Sequence, residues 1–260
     1  MPEKFDLIVA GKIARRALLE IVHAAKAAHI GSSLSSIEIF LASMTAFDSQ
    51  SLVVVSKGHA AAGYYSCLFA LGKMTEEALY SYGENGSELF GHISKESGHE
   101  IPFSTGSLGH GLPYGIGRAI ARQRLAKDGH VIVVCSDGEL NEGTTWESAL
   151  LAAHHKLGNI TLIVDRNGIQ SIGRTEDTLA LEPLVDKWSA FGWKVTEVDG
   201  HNAKDLLHAI ESGQRSRPHV MIAKTIKGKG VSFMEDNNVW HYRPPNQDQL
   251  AEAVKEVGSA

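Results

Sequence analysis

The stretch from Val131 to Gln170, VIVVCSDGELNEGTTWESALLAAHHKLGNITLIVDRNGIQ, constrains the fold of this chain more than any other. It opens on an apolar run, Val131 to Cys135, of strand length and rich in β-branched residues. The run breaks at Ser136-Asp137-Gly138. A helical pattern follows, with Trp146, Leu150, Leu151 and Leu157 at helical spacing, and Gly158-Asn159 ends it. A second apolar run, Ile160 to Val164, stops at Asp165-Arg166-Asn167-Gly168. This is a strand–helix–strand unit with a polar loop at the carboxyl end of each strand. If the strands are parallel neighbours, the crossover is right-handed and both loops leave the same sheet edge. Asp137 and Asn167 then meet, although thirty positions separate them. A carboxylate, an amide oxygen and nearby main-chain carbonyls suit Mg²⁺ or Ca²⁺, and Mg²⁺ commonly adds oxygens from a phosphate.

A length of 260 residues allows one large α/β domain or two small ones. With 43% hydrophobic and 21% charged residues, a substantial core is available. The net charge of −5, with no basic cluster, gives no support to nucleic acid or an anionic membrane as partner. Met1 to Asp6 lack the apolar segment of a signal peptide. No apolar run approaches the roughly 20 residues of a membrane span. Cys67 and Cys135 have no metal-type spacing, so reduced core thiols in the cytoplasm are expected.

Further words carry polar chemistry. Leu7 to His29 is helical in pattern, with Leu7, Ile8, Ile13, Leu18, Leu19, Val22 and Ala25 on one side. His29-Ile30-Gly31-Ser32-Ser33 breaks it, and Ser35-Ser36-x-Glu38 predicts a cap for the next helix. Leu52 to His59 reads as a short buried strand leading into a Gly-His turn. Gly91-His92-Ile93 and Gly98-His99 mark a polar loop. In Phe103 to Gly117, small residues let the backbone approach a ligand, and a helix from about Leu112 offers free N–H groups to an anion. Strands are also expected before Val198 and over Pro218 to Thr225, followed by Lys224-Thr-Ile-Lys-Gly-Lys-Gly230. His201 reads as structural. Each word has an ordinary structural use as well: a helix-end histidine caps, glycines pack helices, and first-turn glutamates complement the helix dipole.

The wording nevertheless resembles the transketolase family. The resemblance rests on Asp137-Gly-Glu-Leu-Asn-Glu-Gly143, Trp146-Glu147, Lys156-Leu-Gly-Asn159, Asp165-Arg-Asn-Gly-Ile-Gln170, Ser56-Lys-Gly-His59 and Ser104-Thr-Gly-Ser-Leu-Gly-His-Gly111. It implies an α/β thiamine diphosphate-binding fold: a mostly parallel sheet of five or six strands between helices, in three layers. The implied cofactors are thiamine diphosphate and Mg²⁺, with Ca²⁺ or Mn²⁺ as substitutes. By resemblance, Asp137, Asn167 and the Ile169 carbonyl hold the metal. Gly106, Ser107, Leu108, Gly138, Glu139, Asn167, His59 and His241 contact the cofactor. His29, His59, His92 and His241 serve the donor sugar, with His99 competing for the place of His92. Glu142 and Glu147 match acidic residues that relay protons near a dimer interface.

Some positions depart from the family pattern. Ser136 and Ile172 replace commoner Gly and Asp, and Ile93 replaces Pro after His92. Asn238-Val-Trp-His241 resembles the family's Trp-His word, but Tyr242-Arg-Pro-Pro245 follows it where Gly-Lys-Ala-Pro is commoner, so substrate choice is expected to differ. The resemblance also stops short of a whole enzyme. The carboxylic acid that activates the thiamine pyrimidine belongs to a module not found in residues 1–260. The chain is therefore expected to be a single diphosphate-binding domain, the N-terminal subunit of a split transketolase that passes a two-carbon ketol unit from a ketose or ketose phosphate to an aldose. A separate chain would carry the pyrimidine-binding and C-terminal domains, in a heterotetramer with two copies of each. The alternatives are an α subunit of a 2-oxo acid dehydrogenase or decarboxylase, or a non-catalytic cofactor-binding subunit.

Overall fold

The computed structural model describes residues 6–47, 50–99, 101–212 and 216–259. The first five residues, which belong to the stretch read for a signal peptide, lie outside them. Five strands form one sheet: β1 (Leu52–Val55), β2 (Val131–Ser136), β3 (Ile160–Arg166), β4 (Lys194–Asp199) and β5 (His219–Lys224). Their order is β1-β2-β3-β5-β4, and every pairing is parallel. The expected strand–helix–strand unit is β2, a helix and β3 as direct neighbours, with Ser136 opposite Asp165.

Eleven α-helices are described: α1 (Leu7–Ala25), α2 (Ile30–Leu34), α3 (Ile37–Thr45), α4 (Ala61–Ala70), α5 (Glu76–Tyr80), α6 (Gly111–Arg124), α7 (Gly143–His154), α8 (Thr175–Thr178), α9 (Leu184–Ala190), α10 (Ala203–Glu211) and α11 (Gln247–Ser259). The sheet feeds a core on each face. Val131, Val133 and Cys135 pack with α6, α7 and α9 residues, whereas Ile132 and Val134 pack with α1, α3 and α4 residues. Burial on both faces explains why β2 and β3 read as unbroken apolar runs rather than alternating ones. The three-layer α/β/α expectation holds.

Two helical faces differ from expectation. In α1, Ile8 and Ile13 are exposed, while Ala10, Ala14 and Ala17 join Leu18 and Val22 in the core. The helix also stops at Ala25, where Lys26 takes a left-handed φ of 51°. In α7, Leu150 and Leu151 are exposed and Ala149 and Ala152 are buried. In both helices small side chains let the backbone come close to its neighbours, and the larger ones are left outside. None of the described helices is long and apolar enough to cross a membrane.

Candidate active site

In a parallel sheet of this kind, ligands meet the loops beyond the carboxyl ends of the strands. Here those loops carry Ser56 to His59 after β1, Asp137 after β2, Asn167 after β3 and Thr225 to Lys227 after β5. The β2 and β3 loops are tied together. Asp137 N donates to Asp165 O at 3.2 Å, and Gly168 N donates to Asp137 Oδ2 at 2.7 Å. Arg166 Nη1 donates to the same carboxylate oxygen at 3.0 Å. Burial, then the nearby Asp165 charge, pushes the Asp137 carboxyl above its ordinary range.

Asn167 is buried, and its amide orientation is fixed from both ends. Nδ2 donates to Asp165 Oδ2 at 3.0 Å, and Oδ1 accepts from Ile169 N at 3.1 Å. Asp165 is fully buried. It pairs with Lys57, also fully buried, and accepts from Thr225. It accepts from Ser35 Oγ at 2.7 Å and Ser36 Oγ at 3.2 Å as well. Burial alone would raise this carboxyl, but the Lys57 charge and the donors around it hold it below the usual range. A buried ion pair is tolerated when added hydrogen bonds satisfy both ions. Lys57 meets that condition, donating also to Ser36 Oγ at 2.7 Å and Ser32 O at 3.0 Å.

The predicted Ser35-Ser36 cap therefore needs correction. Ser36 is the N-cap of α3 but makes no side-chain cap bond. Its hydroxyl, like that of Ser35, turns to Ser32 O and the buried Asp165 instead.

Beside this network stand four histidines. The His29 ring centroid lies 5.4 Å from that of His59, 5.7 Å from His92 and 4.8 Å from His241. His59 and His241 are 6.0 Å apart. His29 has a left-handed φ of 69°, and its N–H donates to His241 O at 2.8 Å. Its Nδ1 is buried without a hydrogen-bond partner. Burial first, with His92 and Lys227 adding, lowers the His29 pKa to about 4. Burial and Lys227 lower that of His241 to about 3. Burial and Lys57 put His59 well below its ordinary value. These rings are neutral near pH 7. His92 thus joins the cluster, whereas His99 lines a separate cavity with Thr75, Glu84 and Leu89.

Lys227 sits at the seam between the two groups. Its buried Nζ donates to Ile169 O at 3.1 Å and lies 3.0 Å from His241 Nδ1. Burial, with Lys57 adding, lowers its pKa to about 8.

The Gly106–Gly111 loop lies over the same edge. Gly106 faces His92, whose Cδ2 would be 3.4 Å from a Cβ placed there. Gly106 and Ser107 are accessible and Leu108 is partly buried. Gly109 takes a φ of 83°, and a Cβ there would meet Thr144 Oγ1 and Glu142 Cβ, so only glycine fits. Glu139 holds this loop. Its carboxylate accepts from Ser56 Oγ and, at 2.9 Å, from Gly109 N. Its side chain is buried and turned into the protein. Gly138 lies against the Gln170 side chain. Glu142 and Glu147 stand at the start of α7 and join neither the histidines nor the Asp137 network. His201, expected to be structural, contacts Glu38 at 3.3 Å and accepts from Ile226 N at 2.8 Å.

Sequence reasoning passes over Lys57, Asp165, Arg166 and Lys227. The available signal is a lysine, Lys57, inside an otherwise apolar and glycine-rich word, and an aspartate, Asp165, at the end of a buried run.

A parallel α/β domain that gathers such groups at one sheet edge belongs with the cofactor-dependent enzymes of this architecture. The family model described as transketolase, thiamine diphosphate binding domain, matches residues 12–260. Among similar proteins is a named subunit of the apulose-4-phosphate transketolase of Actinobacillus succinogenes, 39% identical over 88% of this chain and 87% of its own length. Another is the 6-deoxy-6-sulfo-D-fructose transketolase subunit SqwG of a Clostridium species, 32% identical over 98% of this chain and 97% of its own. The transketolase of Campylobacter jejuni superposes with a TM-score of 0.87 at 26% identity, covering 97% of this chain and 42% of that one. The chain belongs to the transketolase family, as an N-terminal, thiamine diphosphate-binding subunit of the ketol-transferase class. The 2-oxo acid alternative is not favoured. The chain spans less than half the length of the solved transketolases it resembles.

Proposed function

We propose that the chain works with a companion chain as a split transketolase, moving a two-carbon ketol unit from a ketose or ketose phosphate to an aldose. The observation that carries this reading is the meeting of the Asp137–Asn167 loops with four clustered histidines at one sheet edge. The donor set fits the implied cofactor. Asp137, Asn167 and the Ile169 carbonyl offer only hard oxygens, which suit Mg²⁺, Ca²⁺ or Mn²⁺. The unpartnered Nδ1 of His29 and the glycine loop facing His92 fit a polar ligand between them.

When bound, thiamine diphosphate supplies the electron sink for cleaving a bond beside a carbonyl. The chain's own residues do the rest. Asp137, Asn167 and the Ile169 carbonyl would hold the metal, and the Gly106, Ser107, Leu108 and Gly138 main chain, with His59 and His241, would contact the cofactor. Glu139 acts through its hold on Gly109. His29, His59, His92 and His241 hydrogen-bond the donor hydroxyls and exchange protons there. Glu142 and Glu147, at the start of α7, face a contact between subunits and relay protons across it. The companion contributes the pyrimidine-binding module and its Glu, in a cytoplasmic assembly of two copies of each chain. The subunit naming of the relatives supports a partner.

The test is ketol transfer from xylulose 5-phosphate by the chain alone and by the chain mixed with its companion, each with thiamine diphosphate and Mg²⁺. Transfer only in the mixture is expected. Transfer by the chain alone would contradict the split active site.

A further inference from the structure

We propose that the buried Lys57–Asp165 pair is a positioning unit for the metal end of this site, setting which way the Asn167 amide faces. The inference deepens the reading above and rests on it.

Asp165 lies on β3, inside the sheet, opposite Ser136 of β2 on one side and Ala223 of β5 on the other. It touches both residues whose side chains are expected to hold the metal. Its main-chain carbonyl accepts from Asp137 N at 3.2 Å, and its Oδ2 accepts from Asn167 Nδ2 at 3.0 Å. Turned over, the Asn167 amide would set its oxygen against the Asp165 carboxylate and its NH₂ against the Ile169 N–H that Oδ1 now accepts. Both ends would then be mismatched, because a carboxylate only accepts and a main-chain N–H only donates. The carboxylate therefore keeps Oδ1 on the Ile169 side.

Lys57 holds that carboxylate in place. It follows β1, and its Nζ grips the same oxygen that takes Asn167. The ammonium is anchored in turn by Ser32 O at 3.0 Å, on α2, and by Ser36 Oγ at 2.7 Å, at the N-cap of α3. Thr225, after β5, donates to the other carboxylate oxygen. Segments distant in sequence thus converge on one carboxylate. Both charged side chains are 0% exposed, so they act through Asn167 rather than on a ligand. A pair buried this completely commonly contributes no more stability than apolar residues of like volume. Its place here is accounted for by the amide it orients. Polar partners of metal ligands fix the atom that faces the metal, and losing one lowers metal affinity.

The test uses the complex with the companion chain, as wild type, Lys57→Met, and a double variant that joins Lys57→Met to Asp165→Val. Melting is recorded without ligands. The Mg²⁺ concentration that half-saturates thiamine diphosphate binding is read by calorimetry. Lys57→Met alone should melt lower, because Asp165 is left buried without its cation. The double variant removes both charges and should return to within about 4 °C of wild type. Its Mg²⁺ requirement should nevertheless stay about tenfold above wild type, the lower end for an outer-shell partner. Recovered melting with a Mg²⁺ requirement within about threefold of wild type would overturn the proposal, since Asn167 would then need no such hold. A double variant that failed to fold, or melted as low as Lys57→Met, would overturn it too, because the pair would then serve the fold itself. If the wild-type complex bound no thiamine diphosphate at any Mg²⁺ concentration, the proposed function would fall instead, which separates the two failures.

Discussion

The two ends of the candidate site are built in different ways. The Asp137–Asn167 end is a lattice of charge. Asp165 alone accepts from Lys57, Ser35, Ser36, Thr225 and Asn167. The histidine end is held by packing and main chain: His29 is fixed through its N–H to His241 O, and its Nδ1 has no partner. One end has its geometry set before any ligand arrives, as a metal and diphosphate require. The other leaves His29 Nδ1 without a partner, open to a ligand hydroxyl. Hydrogen-bond density within one site thus separates the groups expected to hold the metal from the rings expected to serve the donor.

The largest expected effect breaks the charged end outright. Asp165→Ala leaves Lys57 buried without its anion and should cost about 3–5 kcal/mol of stability, read by urea unfolding. A loss below about 1 kcal/mol would mean that Lys57 finds another partner. Asn167→Ala removes an expected metal ligand. It should weaken thiamine diphosphate binding in Mg²⁺ beyond the roughly 10–100-fold typical of losing an outer-shell partner. A weaker effect would place the ligand set elsewhere.

The smallest effect concerns pH. The folded pKa values of His29 and His219 are lowered to about 4, and that of His241 to about 3, from 6.5. As pH falls below 6.5 the unfolded chain takes up protons first, so the folded state loses stability from about 6.5 down to about 4 for His29 and His219 and down to about 3 for His241. Above 6.5 these groups add no pH dependence. A melting temperature flat across that window would show that charged imidazoles are tolerated there.

Much of this arrangement is legible in the sequence. The apolar runs of β2 and β3 define the parallel unit, and its crossover brings Asp137 to Asn167. Spacing does not show which helical face is buried when alanines do the packing, as in α1 and α7, where Ile13 and Leu150 are outside. Nor does it show charge pairing across distant segments. Lys57 and Asp165 lie 108 positions apart, and only the register of the sheet joins them. The Ser35-Ser36 cap misleads in part for the same reason, since one acceptor the two hydroxyls share, Asp165, comes from β3.

The division between the two ends is tested most directly by His29→Asn in the complex with the companion chain. Asparagine tolerates the left-handed backbone found there. Turnover and thiamine diphosphate affinity are measured on the same preparation. Turnover should fall roughly 100-fold, with affinity within about threefold of wild type. Affinity falling together with turnover would contradict the account, because His29 would then be holding the cofactor rather than serving the reaction.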